Sequence, residues 1–189
     1  MEAIKKDKRY TYADYLTWDD DVRYELIDGV PYMMSAPTIA HQEIVGELFG
    51  QLRDFLKGKP CKPFVSPIDV RLNFENRDDI VVQPDIIVVC DKSKLEDGKS
   101  VKGAPDFVIE ILSPSSFRHD LIVKLNRYMA AGVREYWVVD PEGQVIITFL
   151  LKDGAYTTKK TYEKGELAPV TVLDGCVIDL KDVFPEHVH

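Results

Sequence analysis

The chain has no run of about 18 consecutive apolar residues, so no helix of it is expected to span a membrane. Cysteine is scarce: Cys61, Cys90 and Cys176 are odd in number, widely spaced and contain no C-x-x-C pair. That spacing argues against disulfides and structural zinc, and predicts a reducing cytoplasm as the compartment. Residues Met1 to Asp7 lack the apolar core of a secretory signal. Also missing are a Walker-type phosphate loop, a G-x-G-x-x-G turn, an H-E-x-x-H zinc helix and a G-x-S-x-G nucleophile turn. Ser113, Ser115 and Ser116 have His119 nearby but no histidine with a clear base role, which makes serine hydrolysis a poor fit. Positive charge is short as well. The net charge of −8 argues against non-specific coating of nucleic acid, which is driven by phosphate neutralisation. It leaves room for a local basic patch, or for an acidic site neutralised by a divalent metal.

What is present fits one domain over residues 1–189, with 45% hydrophobic content and no repeat, low-complexity tract or linker. Thr11 and Asp14 form a capping-box pattern at the start of a short helix. Asp28-Gly29 between two strand-prone runs predicts a tight β-hairpin. From about Thr38 to Lys57 the period is helical, with His41, Ile44, Leu48 and Leu52 on one face and Glu43 and Glu47 towards solvent. Residues 63–74, 80–90 and 106–112 read as strands, and Asp91 to Ala104 as a polar loop. A helix is predicted from about Asp120 to Ala131, closed by Gly132. Glu135 to Asp140 reads as a further buried strand, followed by short β segments. The fold class is therefore mixed α/β: a central mixed β-sheet flanked by helices, an N-terminal β-hairpin, a core of about 38–142 and a β-rich C-terminal extension of about 143–184.

Two acids stand out inside this pattern. Asp85 opens the apolar strand Ile86-Ile87-Val88-Val89, and Glu110 lies between Val108-Ile109 and Ile111-Leu112. An ionised carboxylate in such surroundings needs a partner, a hydrogen-bond network or a metal ion. For Asp85 the plain alternative is a turn aspartate ahead of the strand. For Glu110 it is a pair with an arginine such as Arg127 or Arg134. Asp120, Lys124 and Tyr128 recur at helical spacing, so Lys124 can reach the acids, or can belong to a solvated ion-pair stripe. His41 on an apolar helix face is more often a core residue than a ligand, and Glu25 reads by itself as an exposed strand residue. Two acids and a lysine on adjacent elements point to metal-dependent phosphodiester chemistry.

Several blocks occurring in one order extend this reading: Tyr24-Glu25-Leu26-Ile27-Asp28-Gly29, His41, Gln83-Pro84-Asp85, Val108-Ile109-Glu110-Ile111-Leu112-Ser113-Pro114, Asp120-x-x-x-Lys124-x-x-x-Tyr128 and Ala131 to Asp140. Together they resemble the Uma family of restriction-endonuclease-like proteins, within the PD-(D/E)XK nuclease superfamily, over roughly residues 10–150. The resemblance implies a core of helix, three strands, helix and fourth strand. It implies Mg²⁺ or Mn²⁺ held by Asp85 and Glu110, with Glu25, His41, Asp120 and Tyr128 in support. The superfamily lysine stands two residues after the acid, where this chain has Leu112; the resemblance makes Lys124 its replacement. A metal-dependent endonuclease acting on nucleic acid, DNA first, and working as a homodimer is expected. The alternative is a catalytically silent descendant that binds nucleic acid or protein.

Overall fold

The computed structural model describes residues 8–19, 21–113 and 119–185, the side chains of 119–121 and 158–159 excepted. Thr11 caps a short helix, α1 (Tyr12–Tyr15), and its backbone amide donates to the Asp14 carboxylate at 2.9 Å, as the pattern predicts. The hairpin β1 (Tyr24–Ile27) and β2 (Val30–Met33) closes on Asp28-Gly29, both at positive φ. A Cβ on Gly29 would lie 3.0 Å from the Tyr10 backbone, so both conformation and space demand glycine there.

Helix α2 (Ile39–Leu56) buries Ile44, Leu48 and Leu52 completely and leaves Glu43 and Glu47 exposed. Three strands follow that carry the core: β3 (Lys62–Val65), β6 (Ile86–Val89) and β8 (Phe107–Ile111). They are followed by helix α3 (Leu125–Ala131) and strand β9 (Glu135–Asp140). This is the expected helix, three strands, helix, strand. The antiparallel strands β10 (Val145–Lys152) and β11 (Ala155–Glu163) then extend the same sheet, giving the order β11-β10-β9-β8-β6-β3 with β8 and β9 parallel. The first half of the C-terminal extension is thus part of the central sheet. Only the small pair β12 (Leu167–Pro169) and β13 (Val177–Asp179) stands apart. It packs with α2 on one face of the sheet, around Ile86, Ile109 and Trp137.

Four readings of the sequence are corrected by the structure. The run 63–74 is two strands, β3 and β4 (Asp69–Arg71), separated by Ser66 and Pro67 and belonging to different sheets. The run 80–90 is likewise split into β5 (Val81–Val82) and β6, because Pro84 has no amide with which to continue a ladder. The polar stretch after Asp91 contains a 3₁₀ turn, Lys92–Leu95, and strand β7 (Ser100–Lys102), which pairs in parallel with β4. These pieces form a second sheet, β2-β1-β5-β4-β7, which packs with α3 on the other face of the central sheet through Val70, Val82, Val101, Val108 and Tyr136. Finally, Cys61 and Cys90 are joined by a disulfide across the end of the β3–β6 pairing, 29 residues apart in sequence. A sequence spacing does not reveal that two strands will place their flanking residues opposite each other. A disulfide between these cysteines gives no ground for expecting a reducing compartment. Among the described residues no helix is long and apolar enough to cross a membrane.

Candidate active site

The chain leaves one sheet and enters the other at Gln83-Pro84, and Asp85 stands at that crossing. The register Ile86↔Ile109 puts Asp85 opposite Glu110, so both carboxylates leave the same face of neighbouring strands. Asp85 Oδ2 accepts the Ile111 amide at 2.8 Å and lies 3.2 Å from His41 Nε2. Asp85 Oδ1 takes no hydrogen bond from the described residues. Glu110 is 3% exposed, and its Oε1 accepts from Lys124 Nζ at 3.0 Å and from the Tyr128 hydroxyl at 2.6 Å. Lys124 also meets Glu25 Oε1 at 2.9 Å, and the same oxygen accepts the Gln83 amide at 2.8 Å.

The structure joins Glu110, Lys124, Tyr128 and Glu25 in one cluster and pairs Asp85 with His41. Lys124 and Tyr128 share a helix face as expected, although the segment is not one uniform α-helix. A π-helical stretch, His119–Lys124, carries Lys124 and passes into α3, which carries Tyr128. Wide turns of this kind recur at functional sites. The side chain of Asp120 lies outside the described residues, as do Ser115 and Ser116. Glu25 corrects the plain reading of an exposed strand residue: it is 4% exposed and faces Lys124. Nothing local in the alternating strand reveals this, because its burial comes from Lys124 and β5. Leu112, where the superfamily pattern has lysine, is buried. Lys124 reaches Glu110 from the helix instead.

Burial, followed by the charges of Glu110 and Glu25, raises the Tyr128 phenol well above its ordinary range, so it stays a neutral donor. The acids open into a cavity of about 510 Å³ that His41, Gln83 and Lys124 also line. Two buried polar atoms in that wall have no hydrogen-bond partner among the described residues: His41 Nδ1 and Gln83 Oε1. Among the same residues no three His, Cys, Asp or Glu side chains gather into a closed metal cage. Carboxylate oxygens are hard donors of the kind divalent cations take, and Asp85 Oδ1 accepts no hydrogen bond from these residues.

Beside this cluster, Asp69 of β4 accepts from Gln83 Nε2 at 3.0 Å, Tyr12 at 3.1 Å and Tyr15 at 3.5 Å. Neither Asp69 nor the side chain of Gln83 is singled out by the sequence, since an acid in an alternating strand is ordinary. Burial first, then the Asp69 charge, pushes Tyr12 and Tyr15 up to about 12. A raised phenol favours the neutral form in the folded state. Its contribution to stability is complete below pH about 10 and is lost as pH rises towards about 12. Alkaline titration followed by phenolate absorbance should place these two tyrosines above the free value, and Asp69→Asn should move them down.

The order of strands, the crossing helices and paired acids on the second and third core strands define a nuclease-like α/β fold of the restriction-endonuclease type. The chain belongs to the Uma2 family, described as "Putative restriction endonuclease", whose model matches residues 12–181. It is similar in structure to a protein of Anabaena variabilis described as "a putative nuclease belonging to DUF820". The TM-score is 0.72 at 22% identity, over 92% of this chain and 97% of that one. At that identity the likeness speaks for the fold. No curated protein matches the chain.

Proposed function

We propose that the protein is a divalent-metal-dependent endonuclease that hydrolyses phosphodiester bonds of nucleic acid, DNA first. The observation that carries this reading is the opposition of Asp85 and Glu110 on neighbouring strands, with Lys124 against Glu110 at the wall of one cavity. Asp85 and Glu110 would hold Mg²⁺ or Mn²⁺. When bound, such an ion lowers the pKa of water and offsets charge building on a phosphate. Lys124, held between Glu25 and Glu110, presents a fixed positive charge beside the scissile group. Tyr128 orients Glu110, and His41 together with the Ile111 amide fixes the rotamer of Asp85. Asp120 is assigned to the same supporting set from its place in the family pattern. Cleaving both strands of a duplex calls for two copies related by a two-fold axis, hence a homodimer.

One observation favours the silent alternative. Glu110 already has a cation and a hydroxyl as partners, so it is compensated without a metal. The test is digestion of supercoiled plasmid and single-stranded DNA with Mg²⁺ or Mn²⁺, each with and without chelator. Metal-dependent cutting that chelator removes is expected. The same background in every tube would leave the fold as a binding module.

A further inference from the structure

Arg53, Arg71, Arg77, Arg127 and Arg134 each meet an aspartate carboxylate. Arg23 has no such partner among the described residues, and its side chain makes no hydrogen bond to them. Yet it is half-buried and lines the carboxylate cavity. A guanidinium drawn partly out of water without a counter-ion costs stability and gives the fold nothing in return. Burial and the Asp69 charge raise the Tyr15 phenol, and the Arg23 charge works against them, so the guanidinium is felt at Tyr15. A neutral phenol does not balance it.

The hairpin sets the direction of this side chain. The Arg23 carbonyl accepts the Met34 amide at 2.9 Å, which carries the β1–β2 ladder one residue past Tyr24. In extended chain, side chains two residues apart leave the same face. Glu25 uses that face to reach Lys124, so Arg23 stands on the cavity side, two residues nearer solvent.

Charge then says what Arg23 can hold. Leaving the histidine aside, Glu25, Asp85 and Glu110 set three negative charges in the cavity wall against Lys124 and Arg23. Lys124 lies between two of those acids and is already shared. The wall is thus negative by one and repels a phosphodiester. A divalent ion at the acids would make it positive by one, the complement of a single phosphodiester. Arg23 is the cation left to touch it, and its planar fork matches two phosphate oxygens. The first turn of α2 borders the same cavity at Thr38 and His41 and adds its positive end. A chain of net charge −8 has most to gain from such a local contact.

We propose that Arg23 is a substrate-binding residue that grips a phosphodiester of the nucleic-acid strand lying at Asp85 and Glu110. The inference rests on the endonuclease reading for its substrate, and its test separates binding from hydrolysis.

The full chain is titrated against a fluorescent oligothymidylate in Ca²⁺ over a series of salt concentrations. Arg23→Gln should bind about tenfold weaker than the parent, the scale of one charge-assisted contact. Its slope of log affinity against log salt should shrink by about 0.7, one phosphate contact on a single strand. Arg23→Lys should keep the parental slope and recover part of the affinity, because it retains the charge and loses the fork. Lys57→Gln removes an equal charge from an exposed position at the far end of α2 and should change neither quantity. That control separates a contact from the net charge of the chain. With no side-chain partner to lose, Arg23→Gln should melt no lower than the parent. A variant that melts lower and binds weaker at the parental salt slope would show a structural role and overturn the proposal. Parental affinity and slope in Arg23→Gln, or no binding by the parent, also overturns it, while plasmid digestion decides the nuclease reading separately. Weakened binding by Arg23→Gln in a chain that cuts nothing would keep the contact and remove the hydrolysis.

Discussion

Asp85→Asn should lower metal-dependent cleavage by roughly 10²–10³-fold, the range seen when one group stabilising transition-state charge is deleted. It should do so while holding stability within about 1 kcal/mol of the parent. The two oxygens of the aspartate have different tasks. Oδ2 accepts the Ile111 amide at 2.8 Å and faces His41 Nε2. An asparagine oxygen in the same place can still accept from the amide, so the start of β6 stays tied to the end of β8. What disappears is the negative charge, and with it the ligand proposed for Mg²⁺ or Mn²⁺. Asp85→Ala makes the contrast: it leaves the Ile111 amide without its acceptor and should cost about 1–3 kcal/mol besides the activity. Thermal denaturation gives a readout independent of turnover. A divalent ion at about a hundred times its dissociation constant stabilises the parent by ~2.7 kcal/mol. That gain should vanish in Asp85→Asn. Parental cleavage by Asp85→Asn would show that the carboxylate is structural only.

Glu110 was legible in the sequence because burying a glutamate among Val108, Ile109 and Ile111 demands compensation, wherever the compensating groups come from. The hairpin at Asp28-Gly29 and the buried face of α2 were legible for a related reason: each is set by local periodicity and turn chemistry. The division of 80–90 between two sheets was not, although its cause, Pro84, was in plain view. Apolar runs on both sides of that proline are equally suited to one strand or two, and only packing against β1 and β4 on one side and β3 and β8 on the other decides. Glu25 illustrates the same limit at the site. Its strand neighbours say nothing of Lys124, which arrives from a helix far along the chain. The Cys61–Cys90 disulfide is likewise a property of strand pairing and not of spacing. Local chemistry thus identified which groups needed partners, and tertiary register chose the partners.

Lys124 joins these threads, and Lys124→Met should be the most destabilising change in the site, by about 3–5 kcal/mol. Its ammonium stands 2.9 Å from Glu25 and 3.0 Å from Glu110, with all three side chains about 5% exposed or less. The methionine chain fills a similar volume, so little of the loss comes from packing. Two buried carboxylates then face each other without the cation that separated them. For a chain of this length the penalty corresponds to a fall in melting temperature of roughly 6–20 °C. A purely hydrophobic role for the lysine stem predicts almost no change. The double variant Lys124→Met/Glu25→Gln separates charge from geometry. Neutralising one acid relieves the repulsion, while the amide oxygen introduced at position 25 can still accept the Gln83 backbone N–H. It should recover a substantial part of the lost stability and none of the cleavage. If the double variant melts no higher than the single one, the two acids do not repel across that gap, and Lys124 would hold the site by some means other than charge.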